Sequence, residues 1–166
     1  MYRFTRPRMN TRSSDLRRHN EAKLMETDEM TPINKIKQMN ALSLAYAGDS
    51  VYELYVREMI LKKHPGARVS LLHKMGSSVS NCTFQSGLLE KIRPHLTDDE
   101  ANIVKRGSNA KPHSFPRNAS RPLYIEATAF EALLGYVYLS GDKERLMTIF
   151  ELIKEDIEHE LGSAGL

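Results

Sequence analysis

ALSLAYAGDSVYELYV, residues 41–56, is the stretch on which the fold turns. Small, aliphatic and aromatic side chains occupy nearly every side of it at helical spacing, so it reads as a helix at the centre of a bundle. Asp49 stands in its middle, behind Gly48. A second stretch, ATAFEALLGYVYL at residues 127–139, has the same character, with Glu131 its single charge. A carboxylate on a buried helix is costly unless it is paired, hydrogen-bonded or bound to a cation. One helical turn to either side, Asp49 meets Ala45, Tyr46, Tyr52 and Glu53, and Glu131 meets Ala127, Thr128, Leu134 and Gly135. No Lys or Arg is among them. Two arrangements remain open. Each acid finds a salt bridge or backbone amide from elsewhere in the fold, or the two helices pack together and the acids share a cation. Two close carboxylates repel without one, and ligation by oxygen alone suits magnesium or manganese better than zinc. Gly48 costs a helix interior about 1 kcal/mol relative to alanine, which points to a close backbone approach. With Ala45 and Ala47 it also suits tight helix packing.

Outward from this helix the chain reads as further helices, and no segment alternates as a strand. Thr31 and Pro32 open a short helix, INKIKQM. Asn40 caps a helix over 41–63 that HPG stops. Ser70 caps one over 71–92, with Leu72, Met75, Val79, Cys82 and Leu89 on one stripe, ended by Arg93 and Pro94. TDDE at 97–100 is a capping box opening a helix to Arg106, with Gly107 just past its end. Residues 107–122 carry three prolines and no periodicity, a long loop of the kind that is functional or disordered in a compact domain. A helix over 123–140 is ended by Gly141. The last, over 143–161, has Leu146, Ile149, Phe150, Ile153, Ile157 and Leu161 at helical spacing. The expected architecture is an all-α domain over 31–162, preceded by a basic, disordered arm (1–30) and followed by a flexible tail (163–166).

A chain of 166 residues is one domain's worth, and 40% hydrophobic with 27% charged residues describes an ordinary soluble globular protein. The single cysteine, Cys82, forms no internal disulfide, which favours a reducing compartment. The six histidines lack ligand spacing, which argues against a structural zinc. No apolar run reaches the roughly 20 residues of a membrane span. The net charge of +3 is unevenly spread. Residues 1–20 hold six arginines against one acid, and residues 104–124 hold five Lys/Arg and no acid, whereas the last helix is acidic. That distribution fits a polyanionic partner. The arginine-rich start also fits, as a minor alternative, an organellar transit segment.

With these residues in view, LAYAGDSVYELYVR resembles the signature helix of the ribonuclease III catalytic domain, and FEALLGYVYL its second acidic helix. LHKMGSSVSN, IVKRGSNAK and TAFEALLGYVYL, in this order, are similar to Mini-ribonuclease III, the branch of that family with no double-stranded RNA-binding domain. The resemblance spans about residues 30–161. It implies an all-α, homodimeric endonuclease of the bacterial cytoplasm. Such an enzyme cuts double-stranded RNA with Mg2+, which Mn2+ can replace, and leaves 5′-phosphate and 3′-hydroxyl ends. It also implies maturation of the large-subunit ribosomal RNA precursor, helped by a large-subunit ribosomal protein. By position Asp49 and Glu131 are the catalytic metal ligands. Ala45 and Thr128 stand where the family's other two acids belong, so Glu53 is a further candidate ligand, and Glu126 reads as an ordinary helix charge.

Without a separate binding domain the catalytic domain must grip the duplex itself. Arg106, Lys111 and Arg117 are the expected phosphate contacts, Asn109 and His113 the contacts to 2′-hydroxyls or groove edges, and Lys74 an addition from the preceding helix. The aromatics Tyr46, Tyr52, Tyr55, Phe130, Tyr136 and Tyr138 read as core and dimer contacts, which argues against single-strand recognition. The arm would add salt-sensitive affinity. The competing readings are a non-catalytic RNA-binding or ribosome-assembly protein retaining the fold, and a helical interaction module unrelated to RNA. The second leaves the basic loop and both acids unexplained.

Overall fold

The computed structural model describes residues 33–111 and 120–164. Seven helices and one 3-10 turn are found among them, and no strand. They run α1 (Ile33–Gln38), α2 (Ala41–Lys63), α3 (Val69–Val79), α4 (Cys82–Ile92), the turn Arg93–His95, α5 (Asp98–Ser108), α6 (Arg121–Leu139) and α7 (Lys143–Ala164). The expected arm, residues 112–119 of the basic loop and the last two residues lie outside the described residues.

The caps explain the boundaries. Asn40 Oδ1 accepts from the Leu42 amide, 2.8 Å, and opens α2 at the predicted residue. Thr97 and Glu100 close a reciprocal capping box on α5. Gly141, at φ 76°, ends α6 in the left-handed region.

Two expectations are corrected. The single helix capped by Ser70 over 71–92 is two helices, the first opening at Val69 with Ser70 inside it, broken at Ser80 and Asn81. Asn81 Oδ1 accepts from the Phe84 amide, 3.0 Å, while its Nδ2 donates to the Ser78 carbonyl. A short polar side chain that satisfies the backbone locally starts a new helix in a new direction. Gly107 is not the residue past the end of α5. It lies within that helix, and a Cβ there would stand 2.6 Å from Ala129 Cα, so it serves the α5–α6 contact.

The core gathers around α6. Its most extensive contact is with α2, followed by α5 and α4. Gly135 lets α2 and α6 approach: a Cβ there would fall 1.9 Å from the Leu44 main-chain oxygen. Beside the crossing, Tyr52 packs edge-on to Phe130, with ring centroids 5.2 Å apart, and donates its hydroxyl to the Val79 carbonyl at 2.8 Å. Burial above all pushes the Tyr52 phenol far up. Tyr55 stacks on Phe150 of α7 at 3.8 Å.

Among the described residues the fully buried carboxylate is Glu100, which the sequence marks only as part of a cap. It is 3% exposed, and Arg145 of α7 donates to both of its oxygens, at 2.7 and 2.8 Å. Burial pushes this carboxyl up, but Arg145 and the Thr97 amide outweigh it and hold it below the usual range. A further Arg145 bond, to the His95 carbonyl, ties the 3-10 turn to the same pair.

Candidate active site

Asp49 and Glu131 meet where α2 crosses α6. Gly48, the residue before Asp49, lies directly against the main chain of Glu131. Small residues flank the contact. Ala45, where the family resemblance expects an acid, is buried, and Thr128, at the other expected acid position, donates its hydroxyl to the Tyr124 carbonyl at 3.0 Å. Neither position offers a carboxylate.

The two acids are less buried than their sequence surroundings imply. Asp49 is exposed and Glu131 half-buried. Although α2 is apolar nearly all round, one strip of it faces outward and carries Tyr46, Asp49, Ser50, Leu54, Arg57 and Leu61. Hydrophobicity on every side makes that strip look internal in the sequence. Burial, and then the charge of Asp49, push the Glu131 carboxyl up to about 8, against a hydrogen bond from the Gln85 side chain that lowers it. The Asp49 carboxyl is raised by burial and by Glu53, and Arg57 opposes this. Among the described residues no Lys or Arg forms an ion pair with either acid. Glu53 is half-buried and bonded to Arg57, one turn on. Glu126 pairs with Arg93 and is spent on that contact.

The expected RNA contacts divide. Lys111, Asn109 and, on α3, Lys74 are all exposed. Lys111 and Asn109 line an open depression together with Asn40, Asn102, Lys105 and Arg106. Arg106 has a structural task there, since its guanidinium donates to the carbonyls of Lys37 and Met39 and closes the end of α1. His113 and Arg117 lie outside the described residues. Sequence reasoning missed Asn102 and Lys105, which precede Arg106 on α5, and Asn40, which another element brings to the same depression. It also missed Gln85, whose one signal was a polar residue on the core face of α4, a turn before Leu88 and Leu89. Of the aromatics, Tyr52, Phe130 and Tyr136 are core, while Tyr46 is 83% exposed and Tyr138 is exposed as well.

An all-α bundle in which two crossing helices each bring one carboxylate to the same place, with a basic depression on its surface, fits a nuclease domain. Residues 42–142 match the Ribonuclease III domain, and the chain belongs to the ribonuclease III family: it is an endoribonuclease specific for double-stranded RNA. It is 41% identical over 117 residues to the Mini-ribonuclease 3 of Symbiobacterium thermophilum, covering 70% of this chain and 89% of that protein. To the Mini-ribonuclease 3 of Thermoanaerobacter sp. it is 38% identical over 136 residues, 81% of this chain and 94% of that one. A crystal structure from Fusobacterium nucleatum shares the fold with a TM-score of 0.65 and 32% identity, over 71% of this chain and 93% of that one.

Proposed function

We propose that the chain cuts duplex RNA with a divalent cation held by Asp49 and Glu131, magnesium or in its place manganese, and that it does so as a homodimer. The observation that carries the reading is the pairing of these carboxylates at the α2–α6 crossing, where burial and the Asp49 charge together push the Glu131 carboxyl up. Two acids without a cationic partner repel, and a cation between them removes the cost; their oxygens are the donors a hard ion takes. The bound cation would neutralise charge at a scissile phosphate and make a water a better nucleophile at neutral pH. Asp49 and Glu131 act as ligands, not as proton carriers. Glu53, held by Arg57, adds a third carboxylate beside Asp49. Hydrolysis leaves a 5′-phosphate and a 3′-hydroxyl.

Lys74, Asn109 and Lys111, with Lys105, offer phosphate and 2′-hydroxyl contacts along the surface, and Arg117 and His113, outside the described residues, are the further contacts expected from the sequence. Two features support the dimer. Tyr46 and Leu54, 83% and 69% exposed, stand on the face of α2 that carries Asp49. Beyond them an apolar groove of about 400 Å3, lined by Val56, Ile60, Leu61, Val69 and Leu72, runs between α2 and α3. A dimer sets one site on each strand of a duplex. The large-subunit ribosomal RNA precursor as substrate, a large-subunit ribosomal protein as helper and the bacterial cytoplasm as location rest on the resemblance to Mini-ribonuclease III.

The test is incubation of the full chain with a long RNA duplex, with magnesium or chelator, beside Asp49→Asn and Glu131→Gln. Magnesium-dependent fragments that vanish in both variants, with duplex binding kept, are the expected result. Unchanged cutting by either variant would remove that residue from the site. Binding without cutting by the wild type on duplex and on ribosomal precursor alike would favour a non-catalytic role.

A further inference from the structure

Three carboxamides, Asn40, Asn102 and Asn109, line the open depression of about 570 Å3 that also holds Lys105 and Lys111. Asn40 comes from the cap of α2, Asn102 from within α5 and Asn109 from the residue just past α5. All three are exposed. The backbone orients two of them. Asn40 Oδ1 accepts from the Leu42 amide at 2.8 Å, and Asn109 Nδ2 donates to the Lys105 carbonyl at 2.7 Å. An amide N–H only donates and a carbonyl only accepts, so these bonds fix which end of each carboxamide is spent. Asn40 keeps its NH2 to donate, and Asn109 keeps its oxygen to accept. The Asn102 carboxamide makes no hydrogen bond among the described residues and offers both.

A phosphate has acceptors alone, so a surface made for phosphate holds donors and has no use for a free side-chain oxygen. The lysines of the depression suit phosphate. The carboxamides suit a group that donates and accepts at once. In duplex RNA that group is the ribose 2′-hydroxyl, displayed along the wide, shallow minor groove, and deoxyribose has nothing in its place. We propose that Asn40, Asn102 and Asn109 read the ribose. Asn109 accepts from 2′-hydroxyls through its free oxygen, Asn40 donates to them through its free NH2, and Asn102 does either. Lys105 and Lys111 hold neighbouring phosphates without regard to the sugar. The inference rests on the reading of this depression as part of the RNA surface, and names the residues there that tell an RNA strand from a DNA strand.

The test is duplex binding by the full chain in chelator at one fixed salt concentration. Two probes share a base sequence: an all-RNA duplex, and the same duplex with each 2′-hydroxyl replaced by fluorine. Fluorine keeps the A-form shape and the phosphates but removes the O–H donor. Wild type is expected to bind the RNA duplex about 10-fold more tightly. Asn102→Ala alters an exposed helix position, and Asn40→Ser keeps a capping oxygen. Each is expected to lose about 2- to 10-fold on RNA, the worth of one hydrogen bond, and nothing on the fluorinated duplex. Lys105→Ala is expected to weaken both duplexes alike and leave the preference intact. Equal wild-type affinity for the two probes would overturn the inference. So would a preference that both asparagine variants leave untouched, or asparagine variants that lose equally on both probes. If Asn40→Ser fails to fold, Asn102→Ala decides alone. A wild type that binds neither duplex sinks the RNA-surface reading and this inference with it.

Discussion

Gly48 lies so close to Glu131 that a Cβ added to it would stand 1.8 Å from the Glu131 main-chain oxygen. The residue that costs α2 helical propensity is thus the one that brings the Asp49 helix onto the Glu131 helix. Gly48→Ala is expected to destabilise the fold by about 3 kcal/mol, since main chain rather than a movable side chain meets the new methyl. Gly135→Ala should do the same from the other side of the crossing. Denaturant midpoints and Mn2+ affinity measure both effects. Stability and affinity close to wild type in Gly48→Ala would show that the crossing has slack.

The Glu131 carboxyl, pushed up from its usual 4.5 to about 8, makes stability without metal depend on pH. Below about 4.5 the group is protonated whether the chain is folded or not. Between that value and about 8 the unfolded chain releases the proton while the folded chain keeps it, so stability falls as pH rises. Above about 8 the loss is complete. Thermal melts in chelator should therefore drop across this window. Divalent cation should restore the loss, and Glu131→Gln in chelator should melt above wild type at about pH 8.

Arg145→Leu leaves the Glu100 carboxylate buried without its bidentate partner. A loss of about 3 kcal/mol is expected, with metal binding per folded molecule unchanged because the pair does not involve Asp49 or Glu131. Urea unfolding of the variant checks the first part, and Mn2+ titration at low temperature the second.

Lys111→Glu and Lys105→Glu should weaken duplex binding and reduce its salt dependence by about one unit of slope for each phosphate no longer neutralised. Arg106→Ala should instead lower the melting temperature, because its guanidinium serves the carbonyls of Lys37 and Met39. Filter binding across a salt series separates these outcomes. An affinity loss in Arg106→Ala at unchanged stability would return that residue to the RNA surface.

Leu54→Arg places a charge on the exposed apolar strip of α2. Sedimentation should show a folded monomer where wild type sediments as a dimer, with duplex cutting strongly reduced. A wild-type monomer at micromolar concentration would end the dimer proposal.

Much of the architecture was legible in the sequence because helix ends are local. Asn40, the Thr97–Glu100 box and Gly141 set their boundaries through hydrogen bonds within a turn or through a φ that few other residues adopt. The two acids were legible too, since a lone carboxylate in an apolar helix stands out from its neighbours. The sequence also held the break at Ser80 and Asn81 in its polar run, although the apolar stripe on both sides hid it. Only the tertiary structure decided what meets what. It assigned the salt bridge of a buried acid to Glu100 and Arg145, 45 residues apart, and tied Arg106 to α1. It turned the outer strip of α2 toward solvent and buried Gln85 on the core face of α4. Periodicity records how apolar a helix face is, whereas a partner across the bundle is fixed by the close approach that Gly48 and Gly135 permit, and no local pattern encodes that distance.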